Sequence, residues 1–276
     1  MSLHVDVDGW LGTDSPGDPE IMILPSHRNY HLRKPPCGDA DPVVSAPIGH
    51  IWHTTDVVQT MENLAHRIAV DSHGASWNAG IGRNGVIYQS VPFILGAWHV
   101  GNPGKIEGQF AVNVNKCTTG TEMENPGRLK RDPGSGALAD AKFYSDPFWR
   151  LGPADATGKR HPDRSLGFDP ALHINVVAND AAITDPSHQF VVVADGKGGW
   201  WAKFTPAQLA AIEAYVRALA AWCPALNHAS AWRWGHVDFP GTTGKEDPGP
   251  MFIAPRDEIL GRVFGSDDGA PAPRAA

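Results

Sequence analysis

Histidine and aspartate near the carboxyl end of this chain stand in a pattern that could hold a metal. The segment Trp234-Gly-His236-Val-Asp-Phe-Pro-Gly-Thr-Thr-Gly-Lys245-Glu-Asp247-Pro-Gly-Pro250 sets His236 and Asp247 at the two ends of a Gly/Pro-rich loop. Such a loop can fold back and bring both donors to one ion. A third donor is His53, which closes the short run Ala46-Pro-Ile-Gly-His-Ile-Trp-His53. A His-His-Asp set leaves the fourth tetrahedral position open, and zinc is its natural occupant. The plain alternative is that His236 caps a loop and Asp247 opens an Asp-Pro turn. His50 looks like a partner for His53, but residues three apart on a strand point to opposite faces, so one of the two at most is a ligand. His53, at the strand's carboxyl end where open α/β sheets place their crevices, is the better candidate, and His50 is expected to be packed. Most of the chain's 13 histidines are expected in loops or on element faces, His66 among them on the exposed side of a helix.

The elements that must carry these residues are legible in part. The β-formers of 46–53 predict a buried strand. Thr55-Asp56 offers a helix cap, followed by Val57, Val58, Met61, Leu64, Ala65 and Ile68 at helical spacing. Residues 77–83 and 86–91 flank Asn84-Gly85, which predicts a β-hairpin with a type I′ turn. Thr205-Pro-Ala-Gln208 supplies a cap, a proline at the first helical position and a capping box. Leu209, Ile212, Val216, Leu219 and Trp222 then share one face. Residues 172–178 and 189–194 are strand candidates. Residues 1–44 lack helical periodicity and read as an N-terminal extension packed on a domain spanning 45–265, and the tail 266–276 as mobile. Between 126 and about 167 the chain reads as a long loop insertion or lid.

Composition narrows the class. With 42% hydrophobic and 19% charged residues among 276, the chain can bury a core. Its 30 glycines and 24 prolines point to long ordered loops, where function tends to sit. No run approaches the roughly 18 apolar residues of a membrane span, and the start is acidic and polar, unlike a secretory signal. The expectation is a cytoplasmic protein, with release from the cell or a periplasmic place as alternatives. Three widely spaced cysteines disfavour a disulfide framework. A net charge of −7 without a Lys/Arg run argues against nucleic acid or an anionic membrane as partner.

Several blocks, in order, resemble the type 2 N-acetylmuramoyl-L-alanine amidases, zinc enzymes that share their fold with the peptidoglycan recognition proteins. Ile51-Trp-His53-Thr-Thr matches the family's zinc-ligand strand, and Arg83-Asn-Gly-Val-Ile-Tyr-Gln-Ser-Val-Pro92 its hairpin. Ala97-Trp-His99-Val-Gly101 matches the Ala-Trp-His-x-Gly element, and residues 235–250 the closing Gly-His to Lys-x-Asp-Pro-Gly-Pro signature. The strand Asn-x-x-Ser-Ile-Gly-Ile-Glu appears as Asn115-Lys-Cys-Thr-Thr-Gly-Thr-Glu122, with threonines replacing two isoleucines. Two further departures are Ser76-Trp-Asn78, where many members have a histidine, and the long segment 126–201.

The resemblance implies an α/β fold: a central mixed sheet of five or six strands flanked by helices, with a zinc cleft at the sheet edge. It implies His53, His236 and Asp247 as zinc ligands, Glu122 as general base and Lys245 as stabiliser of the oxyanion. His99 would line the cleft and contact substrate, and Trp98 would stack on a sugar or pack in the core. Glu124, two residues beyond Glu122 and on the same face, is its rival. Asn175 lies in a segment that aligns with the same block but offers no base. The implied activity is hydrolysis of the lactyl–L-Ala amide of peptidoglycan or muropeptides. The alternatives are a peptidoglycan-binding module that does not cut, or a zinc hydrolase of this fold acting on another amide.

Overall fold

The computed structural model describes residues 3–26, 29–32, 47–55, 60–70, 74–100, 114–131, 138–140, 151–154, 160–162, 175–176, 189–190, 192–194, 199–239 and 246–265. Four short strands come first: β1 (His4–Val5), β2 (Leu11–Gly12), β3 (Ile21–Ile23) and β4 (Tyr30–Leu32). They precede β5 (Gly49–Thr54), helix α1 (Met61–Val70), β6 (Ala79–Ile81), β7 (Ile87–Gln89) and β8 (Leu95–Ala97). The single turn α2 (Val114–Cys117) leads directly into β9 (Thr118–Met123). The next strands are β10 (Arg128–Arg131), β11 (Leu138–Asp140), β12 (Leu151–Ala154), β13 (Arg160–Pro162), β14 (Asn175–Val176), β15 (Gln189–Phe190), β16 (Val192–Ala194) and β17 (Trp200–Ala202). Helix α3 (Pro206–Trp222), strand β18 (Trp234–Gly235) and helix α4 (Pro250–Phe264) complete the described chain. No helix among the described residues is long and apolar enough to cross a membrane.

The central sheet is mixed and has six strands in the order β18-β5-β9-β6-β7-β3. Strands β18, β5, β9 and β6 run parallel; β7 returns antiparallel to β6, and β3 pairs parallel with β7. The expected α/β architecture is therefore present. Its far edge comes from the N-terminal segment, since Ile21–Ile23 pair with Ile87–Gln89. Gln89 fastens that segment further: its side chain accepts from Leu11 N at 2.7 Å and donates to Gly9 O at 2.9 Å.

The two faces of the sheet carry different chemistry. Strand periodicity sends His50 and Trp52 toward α3, where they pack with Tyr215 and Trp232. It sends Ile51 and His53 to the opposite face. The two threonines that stand for isoleucines in β9 face α3 as well: Thr119 Oγ1 lies 2.7 Å from His50 Nδ1, and Thr121 Oγ1 donates to Tyr215 Oη at 2.8 Å. They keep the β-branched shape of isoleucine while pairing polar atoms that burial would otherwise strand.

His50 is fully buried, as expected for its side of the strand. Burial, and after it the charge of His53, holds its pKa well below 6.5. The unfolded chain therefore takes up a proton on His50 as pH falls through about 6.5, and the folded chain does not. Stability from this group is complete above that range and declines below it, at up to about 1.4 kcal/mol per pH unit. Urea midpoints of metal-free wild type and His50→Phe, compared from about pH 7.5 to 5, should show the wild type losing stability more steeply by that amount. Parallel curves would refute this.

Two local expectations are corrected. The hairpin turn is not type I′: Gly82 O accepts from Gly85 N at 2.9 Å and Gly82 N donates to Val86 O at 2.9 Å. That is the longer loop in which one glycine, Gly85 with φ +86°, takes the left-handed position. Asn84 instead uses its side chain to accept from Val86 N at 3.1 Å. At the start of α3, Thr205 caps by accepting from Gln208 N at 3.1 Å. Gln208 does not close a capping box, because its amide donates to Ile81 O and Glu124 O, both at 3.1 Å. A buried amide thus ties the start of α3 to two carbonyls, one at the end of β6 and one just past β9.

Within 126–167, where a loop is expected, the described residues include strands β10 to β13, while β14, β15 and β16 fall in the strand candidates 172–178 and 189–194. β10 and β17 pair antiparallel at the centre of a sheet ordered β11-β10-β17-β16. The segment 126–201 thus leaves and rejoins the main body side by side, and Asn125 Nδ2 bridges to Ala202 O at 3.0 Å. The charged Arg-Leu-Lys-Arg of β10 carries no strand pattern, and its partner lies some seventy residues on.

Candidate metal centre

The carboxyl ends of β18, β5 and β9 lie side by side, and the candidate donors gather there on the face away from α3. His53 is the penultimate residue of β5. His236 follows β18 directly, because Trp234 and Gly235 pair in parallel with Ile51 and Trp52. Asp247 enters from the closing loop, its carbonyl accepting from Val237 N at 3.1 Å, just ahead of the start of α4 at Pro250. The inserted sheet braces this loop: Arg128 of β10 pairs with Glu246 at 3.2 Å, and the ring of Trp201 in β17 fills the space a side chain at Gly249 would need.

His53 Nδ1 lies 3.2 Å from His236 Nδ1, and each nitrogen is 3.3 Å from Asp247 Oδ2. All three side chains are buried. A tetrahedral ion with bonds of about 2.0 Å has ligand atoms about 3.3 Å apart along each edge. The triangle has that size. Asp247 Oδ1 is buried with no hydrogen-bond partner among the described residues, which also suits a carboxylate made to face a cation. Burial pushes the Asp247 carboxyl up, but the two imidazoles of His236 and His53 set against it outweigh this and hold the group well below the usual carboxylate range. Two imidazoles and one carboxylate, closed on one side by protein, form a donor set that fits a divalent zinc-like ion.

Glu122 stands across from His53 in the β5–β9 register. Paired residues of adjacent strands share a face about 4.8 Å apart, so its side chain rises beside the triangle. Its rival Glu124 is buried and otherwise occupied: Oε2 accepts from Met61 N at 3.1 Å and Arg83 N at 3.2 Å, tying α1 to the hairpin. Burial raises the Glu124 pKa against the pull of those two donors and the Arg83 charge. Lys245 lies outside the described residues. Asn175 falls in β14, away from the central sheet.

His99 is drawn into the site, its Nδ1 3.1 Å from His53 Nε2, and the adjacent Trp98 is exposed. Asn78, where the family pattern has a histidine, is completely buried. It accepts from Gly120 N at 3.1 Å and donates toward the carbonyls of Val91, Pro92 and Leu95. This departure is a structural link between β9 and the exit of the hairpin. His66 is exposed on α1, as its helix face predicts. Sequence reasoning missed Thr118, buried at the head of β9 with Oγ1 3.2 Å from His99 Nε2. The signal available was the hydroxyl two residues before Gly120 on the same face.

Residues 44–149, which contain His53, His99 and Glu122, match the family described as N-acetylmuramoyl-L-alanine amidase. The crystal structure of a Se-Met AmpD derivative is similar over 93% of this chain and 98% of its own, at 19% identity and a TM-score of 0.46. AmiD from E. coli, solved with the substrate anhydro-N-acetylmuramic acid-L-Ala-D-gamma-Glu-L-Lys, is similar over 80% of this chain and 61% of its own, at 17% identity and a TM-score of 0.42. The PlyG catalytic domain is similar over 91% of this chain and 99% of its own, at 13% identity and a TM-score of 0.40. Among curated proteins no relative is matched. The likeness of this chain to the N-acetylmuramoyl-L-alanine amidase family thus rests on residues 44–149.

Proposed function

We propose that the chain is a zinc-dependent N-acetylmuramoyl-L-alanine amidase that hydrolyses the lactyl–L-Ala amide of peptidoglycan or muropeptides. The observation that carries this reading is the buried triangle of His53 Nδ1, His236 Nδ1 and Asp247 Oδ2, with Glu122 beside it in register. When bound in an open three-ligand site, zinc acidifies water toward a pKa of about 7 and polarises a carbonyl. The residues do the rest. Glu122 takes the proton of the attacking water and returns it to the amine of L-alanine as the C–N bond breaks and the new C–O bond leaves a carboxylate on the lactyl group. Lys245, two residues before Asp247 in the sequence, is assigned the cation that stabilises the charge developing on the amide oxygen. Trp98 offers an exposed ring on which a sugar can stack, at the mouth of the site. The catalytic unit spans residues 45–265, with 126–201 inserted.

A binding role without cleavage is the second reading, and retention of all three donors speaks against it. Mass spectrometry of peptidoglycan and of soluble muropeptide incubated with the zinc-loaded protein separates the two. The expected products are free stem peptide beginning at L-alanine and a peptide-free glycan. Intact muropeptide after prolonged incubation with protein shown to hold zinc would overturn the amidase reading.

A further inference from the structure

We propose that His99 and Thr118 form a positioning pair that holds His53 with its ring proton on Nε2 and its Nδ1 bare. The purpose of this arrangement, though not its geometry, rests on the metal-centre reading above. The proton positions follow from the far end of a chain of hydrogen bonds. Thr118 Oγ1 is 2.8 Å from the carbonyl oxygen of Val114, which only accepts, so the single hydroxyl hydrogen points there. Oγ1 is then the acceptor for His99 Nε2 at 3.2 Å, which puts the hydrogen of His99 on Nε2. A neutral imidazole has one N–H, so His99 Nδ1 is bare and accepts from His53 Nε2 at 3.1 Å. His53 Nδ1 is thereby left without a hydrogen although it faces the acceptor Asp247 Oδ2 as well as His236 Nδ1, an opposition of lone pairs that a cation between them relieves. Each tautomer is assigned by the need to satisfy the next contact.

The surroundings fix the His99 ring in place. The backbone N–H groups of His99 and Val100 both donate to Asn115 Oδ1, at 3.1 and 2.8 Å, and Asn115 Nδ2 returns a bond to Val100 O at 2.9 Å. The ring lies against Gly120 of β9, where any side chain would collide with it. It meets the His53 ring edge-on, at 78° between planes and 5.3 Å between centroids. Metal-bound histidines commonly donate their second N–H to a carboxylate or a backbone carbonyl. Here the acceptor is a neutral histidine, and a buried hydroxyl decides its tautomer. Both ring nitrogens of His99 face protein partners.

Thr118→Val keeps the shape of the side chain and removes the hydroxyl. His99 Nε2–H then loses the Thr118 acceptor, so the favoured tautomer moves the hydrogen to Nδ1. That hydrogen is donated to His53 Nε2, and the His53 hydrogen is displaced to Nδ1, the atom a metal needs bare. Imidazole ¹H–¹⁵N correlation spectra of the metal-free protein at about pH 8 read the tautomers directly, and competition with a chelator reads zinc affinity. The wild type should show His53 protonated at Nε2. Thr118→Val should show it protonated at Nδ1, with zinc bound about 10- to 100-fold more weakly, and Thr118→Ser should restore both. A wild-type His53 protonated at Nδ1 overturns the proposal without any variant. So does a Thr118→Val protein with unchanged tautomers and affinity. If the tautomers switch as described in a protein that binds no zinc, the positioning pair stands and the metal reading falls.

Discussion

Glu122→Gln is expected to slow amide hydrolysis by about 10²- to 10⁴-fold, the usual range for loss of a general base, while zinc affinity stays within about threefold of wild type. In barrier height this is about 2.7 to 5.5 kcal/mol. The separation of the two readouts follows from position. Glu122 stands on β9 across from His53 and is not one of the three atoms that make the triangle. The glutamine keeps the size and one acceptor oxygen, so the strand and its neighbours have no reason to move. What it lacks is a site to receive a proton from water and pass it to the departing amine. Steady-state rates on muropeptide, with metal content measured on the same samples, check this. A rate within a few-fold of wild type would remove Glu122 from its role. The same change at Glu124 should instead act on folding, because that carboxylate holds the N–H groups of Met61 and Arg83.

Asp247→Ala should abolish both metal binding and turnover. Asp247 supplies one of three donors and the only negative charge in the buried trio, so its loss should weaken zinc binding by more than the 10- to 100-fold typical of an outer-shell partner. It also leaves His53 and His236 facing each other at 3.2 Å without the carboxylate that both now approach. Thermal unfolding with and without zinc makes the loss visible, since an ion that binds only the folded state raises its midpoint. The wild type should gain stability with added zinc and Asp247→Ala should gain none. In the wild type the gain should shrink on acidification, because bound zinc requires neutral imidazoles and protons compete for them. An Asp247→Ala protein that still gains wild-type stability from zinc would contradict the ligand assignment.

Much of this site is legible in the amino-acid sequence, for identifiable reasons. His53 is placed by strand periodicity, which fixes the face it shares with Ile51 and separates it from His50. His236 and Asp247 are placed by a loop of glycine and proline between two short signals. α3 is readable from its cap, its proline and its apolar face. What escapes is set by partners distant along the chain. Three residues, Ile21–Ile23, become the sixth strand because β7 offers an open edge more than sixty residues later. β10 exists because β17 returns beside it. Gln208 leaves its expected cap because the carbonyls of Ile81 and Glu124, which only the folded molecule brings near, accept from its amide. The contact between His99 and His53 is of the same kind. It needs α2 to hold the backbone at His99 through Asn115, and Gly120 to leave room for the ring. Neither residue announces this alone.

The most direct test of the central claim is diffraction from crystals grown with zinc, recorded on both sides of the zinc absorption edge. The account predicts one anomalous peak about 2.0 to 2.2 Å from His53 Nδ1, His236 Nδ1 and Asp247 Oδ2, with a fourth position open toward Glu122. A peak at other residues, or ligation through the Nε2 atoms of the two histidines, would contradict it.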